Sequence, residues 1–325
     1  LDITLHIAHL DHQFRGLHSQ KDAEFVRSYA DRLCLPATIE SIDVPSFARK
    51  NRLSAQAAAR EIRYKFLFKV AREVGGTKIA LGHTSNDQAE TVLARLLRGA
   101  GSRGLSGIPV YGRGMIIRPL LSVSRAEIID YLNQSNIPFL NDLTNEKPVY
   151  LRNRIRHELL PLLAERYSPG IYAILNREAE ILCRENEFLS QYSSGILDDI
   201  ISDHGEWGLE LDLGLFSMHH TAVKRRVILE AVRRVKGDID NISFVQIEKT
   251  LRLADNGRTG AVITFPGRVR IRRGYNRIIV SLGGDLVPSA RQSASCIGEE
   301  WNLVLPVPGR VSLKPSLLEI EASIM

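Results

Sequence analysis

The acids Asp87 and Glu90 lie in the segment of this chain that is best suited to chemistry. The segment, Gly-His-Thr-Ser-Asn-Asp-Gln-Ala-Glu-Thr at 82–91, follows an apolar run at 78–81 that predicts a strand. Its apolar positions predict a helix, which would place four polar residues on one face of its first turns: Asn86, Asp87, Glu90 and Thr91. Carboxylates at the carboxyl end of a parallel strand are suited to bind a cationic substrate or Mg²⁺.

These acids also have a simpler explanation. Acidic side chains stabilise the first turn of any helix by interacting with the positive end of its dipole. However, the segment contains His83, and the helix is followed by an arginine-bounded glycine run, Arg-Gly-Ala-Gly-Ser-Arg-Gly-Leu at 98–105. Both features favour a site that grips a charged ligand at the edge of a parallel sheet.

A second polar cluster, His-Leu-Asp-His-Gln-Phe-Arg at 9–15, follows an apolar run at 3–9 that predicts the first strand. Histidines, an acid and an arginine at a strand end can contact the phosphate and base of a nucleotide. The alternative is a polar loop at the sheet edge. A metal site at His9, Asp11 and His12 is disfavoured, because no distant fourth ligand is evident.

Two groups of arginines fall at helical spacing. Arg60, Arg63 and Tyr64 share a helix face, and two guanidiniums one turn apart can clamp a phosphate or a carboxylate. Arg152 and Arg156 share a face in the most basic short segment, which suits an RNA backbone or a triphosphate. For each group taken alone, a solvated basic surface is the more common explanation.

Strand-like and helix-like runs alternate through the first half of the chain, which favours an α/β fold with a doubly wound parallel sheet. Strands are predicted at 3–9, 38–44, 78–82 and 116–118, and helices at 19–35, 54–74 and 124–135. Ser54 is a candidate N-cap, and Ser124 with Glu127 forms a capping-box pattern. Right-handed crossovers would place the polar segments at one edge of the sheet.

The pattern changes after Pro161. Long helical patterns at 170–204, 213–235 and 243–253 precede short strand-like runs at 261–265, 269–273 and 277–282. We therefore predict an α/β domain at 1–165, a mostly helical second domain with short β-strands at 166–285, and the start of a C-terminal segment at 286–325. The basic run Lys224-Arg225-Arg226 suits either tRNA contact or a solvated helix face.

The composition is that of a globular protein that favours an anionic partner only mildly. The chain has 325 residues, 44% hydrophobic and 25% charged, with a net charge of +6 and a pI near 9.3. Its three cysteines, Cys34, Cys183 and Cys296, form no Cys-x-x-Cys motif, which disfavours a zinc or iron–sulfur site. An odd cysteine count, without a signal peptide or a membrane-spanning run, favours a cytoplasmic location.

Taken in order, these motifs resemble those of the tRNA(Ile)-lysidine synthases, members of the N-type ATP pyrophosphatase (PP-loop) superfamily. The matching elements are His-Leu-Asp-His-x-x-Arg at 9–15, Ala-Arg-x-x-Arg-Tyr at 59–64, Gly-His-Thr-Ser-Asn-Asp-Gln-Ala-Glu-Thr at 82–91, Arg-Gly-Ala-Gly-x-x-Gly-Leu at 98–105, Arg-Pro-Leu-Leu at 118–121, Asp-x-Thr-Asn at 142–145 and Arg-Asn-x-x-Arg at 152–156. Each motif alone is weak, but seven in family order are specific. The resemblance is strong over 1–165 and looser to about residue 282.

The resemblance implies a fold of the adenine nucleotide alpha hydrolase-like (HUP) type and a two-step reaction. ATP would adenylate O2 of the wobble cytidine in an isoleucine tRNA with a CAU anticodon, and pyrophosphate would leave. Free L-lysine would then attack C2 and displace AMP, which gives lysidine. The implied cofactors are ATP and Mg²⁺, and the implied partners are the tRNA and lysine. No membrane is implied, and the oligomeric state is open, with a homodimer as one option.

For the site, the resemblance implies three sets of residues and no protein-bound metal. Asp87 and Glu90 would orient the lysine ammonium, and Arg60 would contact the nucleotide or the activated intermediate. The nucleotide site would be lined by His9, Asp11, His12, Arg63 and His83. Contacts with tRNA or phosphate would come from Arg98, Arg103, Arg152 and Arg156.

The chain departs from the family pattern at its start. The family's Ser-Gly-Gly-x-Asp-Ser loop, which cradles the ATP phosphates, would precede residue 1 and is not in the sequence. We therefore expect a fragment that binds ATP poorly by itself. Two alternatives stay open: a non-catalytic tRNA-binding protein without the ATP loop, and a related PP-loop tRNA cytidine thiolase. The thiolase would need a Cys-x-x-Cys pair, which three isolated cysteines do not supply.

Overall fold

The structure is a computed structural model that describes residues 3–14, 17–112, 114–140, 151–205, 208–283, 309–313 and 318–322. It divides into two units, Leu1–Phe188 and Leu189–Met325. The domain boundaries expected after residues 165 and 285 stay predictions. Three sequence features lie outside the described residues: Arg15, the Asp-x-Thr-Asn motif at 142–145 and most of the segment 286–325.

Helices and strands alternate through the first unit, as the sequence predicts. The elements are β1 (Ile7–Asp11), α1 (Leu17–Arg32), β2 (Ala37–Ser41), α2 (Val44–Asn51), α3 (Ala55–Glu73), β3 (Ile79–Ala80), α4 (Ser85–Leu96), α5 (Ser102–Leu105), β4 (Tyr111–Gly112), β5 (Ile116–Ile117), α6 (Arg125–Gln134), α7 (Leu151–Arg154) and α8 (Leu160–Arg166). Strand β1 pairs with β2 and β3 pairs with β5, both in parallel, while β4 is antiparallel to β5. The predicted α/β class with a parallel sheet is confirmed.

Local sequence signals explain where the helices of this unit begin. Ser54 caps α3, and Ser124 and Glu127 form a reciprocal capping box at α6, as predicted. The prediction of a strand at 38–44 is wrong after Ser41, because Asp43 caps a short helix. Its carboxylate accepts a hydrogen bond from the Ser46 amide at 2.9 Å, and a proline lies in the first turn of α2.

Three apolar clusters fix the helices that carry the polar motifs. The first packs α2 on α3, and the second packs α3 on β3 and β5. In the third, Leu93 of α4 packs against Ile155 and Leu160. Ile155–Leu159 is a π-helical turn that joins α7 to α8, and the Leu160 amide bonds to the Ile155 carbonyl five residues back. This third cluster holds the segment with Arg152 and Arg156 against α4.

The second unit combines helices with an antiparallel sheet. Helix α9 (Ile171–Ile200) contains the division between the units, and it is followed by β6 (Ile201–Gly205), β7 (Gly208–Asp212), α10 (Leu213–Ser217), α11 (Thr221–Lys236), α12 (Phe244–Asn256), β8 (Val262–Thr264), β9 (Val269–Arg273) and β10 (Arg277–Leu282), and then by the hairpin of β11 (Gly309–Leu313) and β12 (Leu318–Ala322). The sheet order is β6-β7-β10-β9-β8, and its core is built with residues of α10, α11 and α12. Of the helices in the described part of the chain, none has both the length and the apolar character needed to span a bilayer.

Two sequence expectations for the second unit change. The single helix predicted at 213–235 is wrong, because α10 ends at Ser217 and His220 caps α11 by accepting a hydrogen bond from the Ala222 amide at 3.2 Å. The basic run on α11 is partly ion-paired: Arg225 contacts Glu248 at 2.7 Å, and Lys224 also pairs with an acid. The Lys224 side chain is only 13% exposed, so a solvated face does not describe it, and contact of this run with tRNA stays a prediction.

The loop after α4 is fixed by buried hydrogen bonds, which makes it sensitive to substitution. Gly107 has a φ of +68°, and a Cβ there would lie 2.5 Å from the Gln88 side chain, which bonds to both backbone groups of Ile108. We expect Gly107→Ala to lower the free energy of unfolding by about 2 kcal/mol, measured by urea denaturation. Gly99→Ala is the matched control, because Gly99 has a similar φ of +76° but open space around it. An equal loss in both variants would contradict the packing argument.

Candidate active site

The start of helix α4 is held by one oxygen of Asp87. Oδ2 accepts hydrogen bonds from the Thr84 amide at 2.9 Å and from the Thr84 hydroxyl at 3.0 Å, and the Thr84 hydroxyl accepts in turn from the Asp87 amide. This is a capping box, so the structural explanation of an acid in the first turn holds for this oxygen. The second oxygen, Oδ1, is left for other partners.

Two arginines bind the remaining carboxylate oxygens of Asp87 and Glu90. Arg152 donates through Nη2 to Asp87 Oδ1 at 2.8 Å and through Nε to Glu90 Oε2 at 2.9 Å. Arg156 donates through Nε to Glu90 Oε1 at 2.5 Å, and through Nη2 to Glu90 Oε2 at 2.9 Å and Asp87 Oδ1 at 3.3 Å. The Glu90 side chain is only 2% exposed. Two acids and two guanidiniums therefore form a compact cluster, which we call the four-charge cluster.

This cluster differs from the expectation for Arg152 and Arg156. The sequence predicted that they face tRNA or phosphate, whereas their guanidiniums contact the two acids. The physical reason is the packing of Ile155, which is 1% exposed and clusters with Leu93 of α4, so that this segment is held against the helix that carries the two acids. Contact of these arginines with tRNA or phosphate stays a prediction for another state of the site.

One cleft brings Asp87 together with Arg60, Arg63 and His83 of the predicted site, while Glu90, His9, Asp11 and His12 are not in its lining. It has a volume of about 580 Å³, and its lining includes Arg60, Arg63, His83, Asp87, Arg152 and Arg156. Four arginines and one histidine in a single cleft are suited to a polyanionic ligand. Asp87 and Arg60 thus line the same cleft. The roles of these residues stay predictions.

A second cavity of about 530 Å³ lies against the same cluster and has a different character. It shares Gly82, Asp87 and Arg156 with the first cleft, and one wall is apolar, while Thr84, Asn86, Glu90, Arg125 and His157 complete the lining. Its aliphatic and aromatic lining residues are Leu120, Ile128, Ile129, Leu132, Phe139, Leu140 and Tyr172. Burial, together with the nearby Glu90, raises the pKa of the Tyr172 hydroxyl, which therefore stays protonated. An apolar cavity with carboxylates at one end is suited to an aliphatic cation.

Two buried polar atoms near the arginine-lined cleft have no hydrogen-bond partner within the described residues: His83 Nδ1 and Arg118 Nε. Arg118 is 6% exposed and donates through Nη1 to the Pro109 carbonyl at 2.6 Å. Burial lowers the pKa of His83, and Arg118, Arg152 and Arg60 lower it further against the opposing effect of Asp87. The imidazole is therefore neutral in a strongly positive environment. The Arg-Pro-Leu-Leu motif at 118–121 includes Arg118, but its spacing from the other motifs in the sequence did not indicate a role for this residue.

The cluster after β1 is held by internal hydrogen bonds. Asp11 is buried, and its carboxylate accepts from the Gln13 amide at 2.8 Å and from the Ser41 hydroxyl at 3.0 Å, which ties β1 to β2. His12 donates from Nδ1 to the Leu10 carbonyl at 3.0 Å and accepts at Nε2 from Arg63 at 3.2 Å. His12 thus reaches the cleft through Arg63, while His9 and Asp11 line neither of the two cavities.

The His12 imidazole is expected to titrate below its ordinary range. Burial lowers its pKa, and the Arg63 guanidinium lowers it further, since a protonated Nε2 could no longer accept from Arg63. The unfolded chain then binds this proton more readily, so His12 contributes stability that is lost as the pH falls below about 6.5. NMR titration should give a pKa below that value, and Arg63→Met should raise it. Lys65→Met on the same helix is the control. An unchanged pKa in Arg63→Met would contradict the assignment.

The arginine-bounded glycine loop stands apart from both cavities. Arg98 and Arg103 are exposed and line neither of them. The loop is instead anchored by Arg95, whose Nη1 donates to the Gly104 and Gly107 carbonyls at 2.8 and 2.7 Å. Contact of Arg98 and Arg103 with tRNA or phosphate stays a prediction. No group of three or more His, Cys, Asp or Glu side chains within the described residues is arranged to hold a metal ion.

Comparison with known proteins relates this chain to one family. Residues 1–163 match the model of the PP-loop domain. The chain is 36% identical over 280 residues to the tRNA(Ile)-lysidine synthase of Caldanaerobacter subterraneus. This alignment covers 86% of this chain and 59% of that protein. It is 30% identical over 326 residues to the synthase of Clostridioides difficile, an alignment that covers 100% of this chain and 68% of that protein. It is 34% identical over 293 residues to the synthase of Geobacter sulfurreducens, an alignment that covers 90% of this chain and 62% of that protein.

The chain thus spans roughly three fifths to two thirds of the length of the curated relatives it matches. Among solved structures, the U34-tRNA thiolase NcsA from Methanococcus maripaludis with its [4Fe-4S] cluster is similar to part of the fold. The match has a TM-score of 0.45 at 15% identity and covers 55% of this chain and 62% of that one. This likeness is too distant to bear on function.

Proposed function

Because this chain belongs to the tRNA(Ile)-lysidine synthase family of PP-loop proteins, we propose that it takes part in ATP-dependent formation of lysidine. In this reaction free L-lysine is joined to C2 of the wobble cytidine of an isoleucine tRNA with a CAU anticodon. The enzyme would be a ligase that forms a C–N bond. The first step adenylates O2 of the cytidine and releases pyrophosphate, and the second step replaces AMP by the amine.

The observation that carries this proposal is the placement of Asp87 and Arg60 on one cleft. The reaction must hold a negatively charged nucleotide beside a positively charged amine, at one reacting carbon. Guanidiniums bind phosphate oxygens through charge-assisted hydrogen bonds, and carboxylates bind an ammonium in the same way. A cleft that offers both kinds of group within one lining is suited to bring the two substrates together.

The residues of the arginine-lined cleft fit an ATP phosphate group. Arg60, Arg63 and Arg152 supply donors and positive charge, and the unpartnered donor of the nearby buried Arg118 adds to the positive field. These groups would disperse the charge that develops as pyrophosphate leaves, which is the main demand of phosphoryl chemistry. Mg²⁺ would serve the same purpose on the phosphates, and we assign it no protein ligand.

Asp87 and Glu90 would position the lysine amine. Both acids line the apolar cavity, and Asp87 also lines the arginine-lined cleft, so the aliphatic chain of lysine could lie against Leu132 and Phe139 with its amine at the acids. Burial of the four methylene groups would contribute about 3 kcal/mol of apolar binding energy. The amine must lose a proton before it attacks C2, because the ammonium form has no free electron pair.

The proposal is tested by incorporation of radiolabelled lysine into tRNA. The full-length protein that contains this chain is incubated with ATP, Mg²⁺, L-lysine and a tRNA(Ile) transcript with a CAU anticodon, and acid-precipitable label is counted. We expect label in this tRNA and none in the same transcript with U in place of the wobble C. Binding of the tRNA without any label would favour the non-catalytic alternative. Incorporation of sulfur instead of lysine would favour the thiolase.

A further inference from the structure

The acids proposed to hold the lysine amine are already occupied by guanidiniums. Asp87 Oδ2 accepts from the backbone and hydroxyl of Thr84, while Asp87 Oδ1 and both oxygens of Glu90 accept from Arg152 and Arg156. Every carboxylate oxygen of the pair thus has at least one donor. An ammonium ion needs the same oxygens, so it must compete with a cation that belongs to the chain.

The charge of the cluster leads to the same conclusion. Two carboxylates and two guanidiniums sum to zero, and a neutral site gives an incoming ammonium no net attraction. If one guanidinium moves away, the remaining three groups carry a charge of −1, which matches a single ammonium. Since Glu90 is buried, its charge has to stay paired at each stage.

The two arginines are not equally held. Arg156 is 25% exposed and makes three hydrogen bonds to the acids, two of them to Glu90. Arg152 is 44% exposed and makes two such bonds, one to each acid. It also lies near the first residue of the four-residue helix α7, ahead of the π-helical turn that carries Arg156. Arg152 is therefore the cation that can leave at the lower cost.

Arg152 also has a second place to bind. Its side chain lines the cleft that contains Arg60, Arg63 and His83, whereas it does not line the apolar cavity. An anion in this cleft would offer oxygens to Arg152 as an alternative to those of Asp87, which lines the same cleft. A long arginine side chain can exchange a carboxylate for a phosphate, because both accept the same paired hydrogen bonds.

We propose that Arg152 is an exchangeable cation, which occupies the amine's position on Asp87 and Glu90 and moves to the anion in the neighbouring cleft when lysine binds. Arg152 then couples the two substrates: an anion draws it off the acids and frees the amine site, while lysine displaces it towards the anion. By thermodynamic linkage, each ligand tightens the other's binding by the same factor. This inference rests on the proposed function, since it takes lysine as the ligand of the acids.

The coupling is measured by calorimetry on the whole chain, with L-lysine as the amine and inorganic pyrophosphate as the anion. For the unmodified chain we expect saturating pyrophosphate to tighten lysine binding by about 5-fold to 50-fold, and saturating lysine to tighten pyrophosphate binding equally. For Arg152→Gln we expect lysine to bind about 10-fold more tightly in the absence of pyrophosphate, because no internal cation competes. In this variant the coupling should fall below about 2-fold.

Arg154→Gln is the matched control. Arg154 lies on the same helical turn and carries the same charge, but it pairs with the exposed Glu158 at 3.4 Å. Its removal should leave both the lysine affinity and the coupling unchanged. A thermal melt of each variant shows that the chain is folded, and Arg152→Lys, which retains a cation, should restore part of the coupling.

The outcomes separate the inference from the proposed function. Equal lysine affinity in the unmodified chain and Arg152→Gln, with no effect of pyrophosphate, overturns the exchange of Arg152 while leaving the amine site in place. Weaker lysine binding in Arg152→Gln overturns it too, since Arg152 would then be a direct lysine contact. Failure of lysine to bind either chain overturns the proposed amine site, and the exchange with it.

Discussion

Asp87→Asn should reduce lysidine formation by at least about 100-fold in the active protein while tRNA binding is kept. The substitution removes the negative charge that would hold the amine and leaves Glu90 alone against two guanidiniums. Contacts of a tRNA with a protein are spread over many phosphates, so one carboxylate contributes little to them. The measurements are lysine incorporation under saturating ATP and tRNA, and tRNA affinity by filter binding.

The capping role of Asp87 calls for a matched control. Glu127 has the same capping-box geometry at α6, where its Oε2 accepts from the Ser124 amide at 2.8 Å, but it does not line either cavity. Glu127→Gln should therefore show any loss from a weakened helix start, about 1 kcal/mol of stability or less, with normal turnover. Normal turnover in Asp87→Asn would remove Asp87 from the mechanism.

Glu90→Gln is expected to have the largest effect on stability, lowering the free energy of unfolding by about 3 kcal/mol. Breaking a buried ion pair from one side leaves the other charge without compensation, and Glu90 receives three guanidinium hydrogen bonds from Arg152 and Arg156. The partly exposed arginines keep some hydration, which places the loss at the lower end of the range for buried pairs. Urea denaturation of the purified variant measures it.

The control for this variant is Glu158→Gln on the surface. Glu158 also pairs with an arginine, but its side chain is 54% exposed, and such pairs contribute less than about 0.5 kcal/mol. A comparable loss in both variants would show that burial of Glu90 does not set the effect. Comparison of the two variants shows whether the loss of stability comes from removing a carboxylate charge or from the burial of that charge.

The sequence predicted much of the local structure well. The N-caps at Ser54 and Ser124 and the strands at 269–273 and 277–282 are found at the predicted residues, because each depends on neighbours a few positions away. Helix α2 was missed although Asp43 and Pro45 carry its start signal. The apolar run before it was extended too far as a strand, since periodicity alone does not mark where a strand stops.

The pairing within the four-charge cluster could not be predicted. Arg152 and Asp87 are 65 positions apart in the chain, and nothing in their spacing indicates that they meet. Their contact depends on how Ile155 packs against Leu93, which is a tertiary interaction. The missing partner of Arg118 Nε within the described residues could not be predicted from the sequence either, because it depends on which groups the fold brings together.

The wall shared by the two cavities has a consequence for inhibitor design. Gly82, Asp87 and Arg156 line both spaces, so a single compound could fill both if its spacer crosses this wall. Joining an anionic head to an aliphatic amine converts the second binding event into an intramolecular one, at an effective concentration in the millimolar range for a short linker. Such a compound would gain affinity over its halves without any new contact, and its optimal spacer length would report the separation of the two subsites.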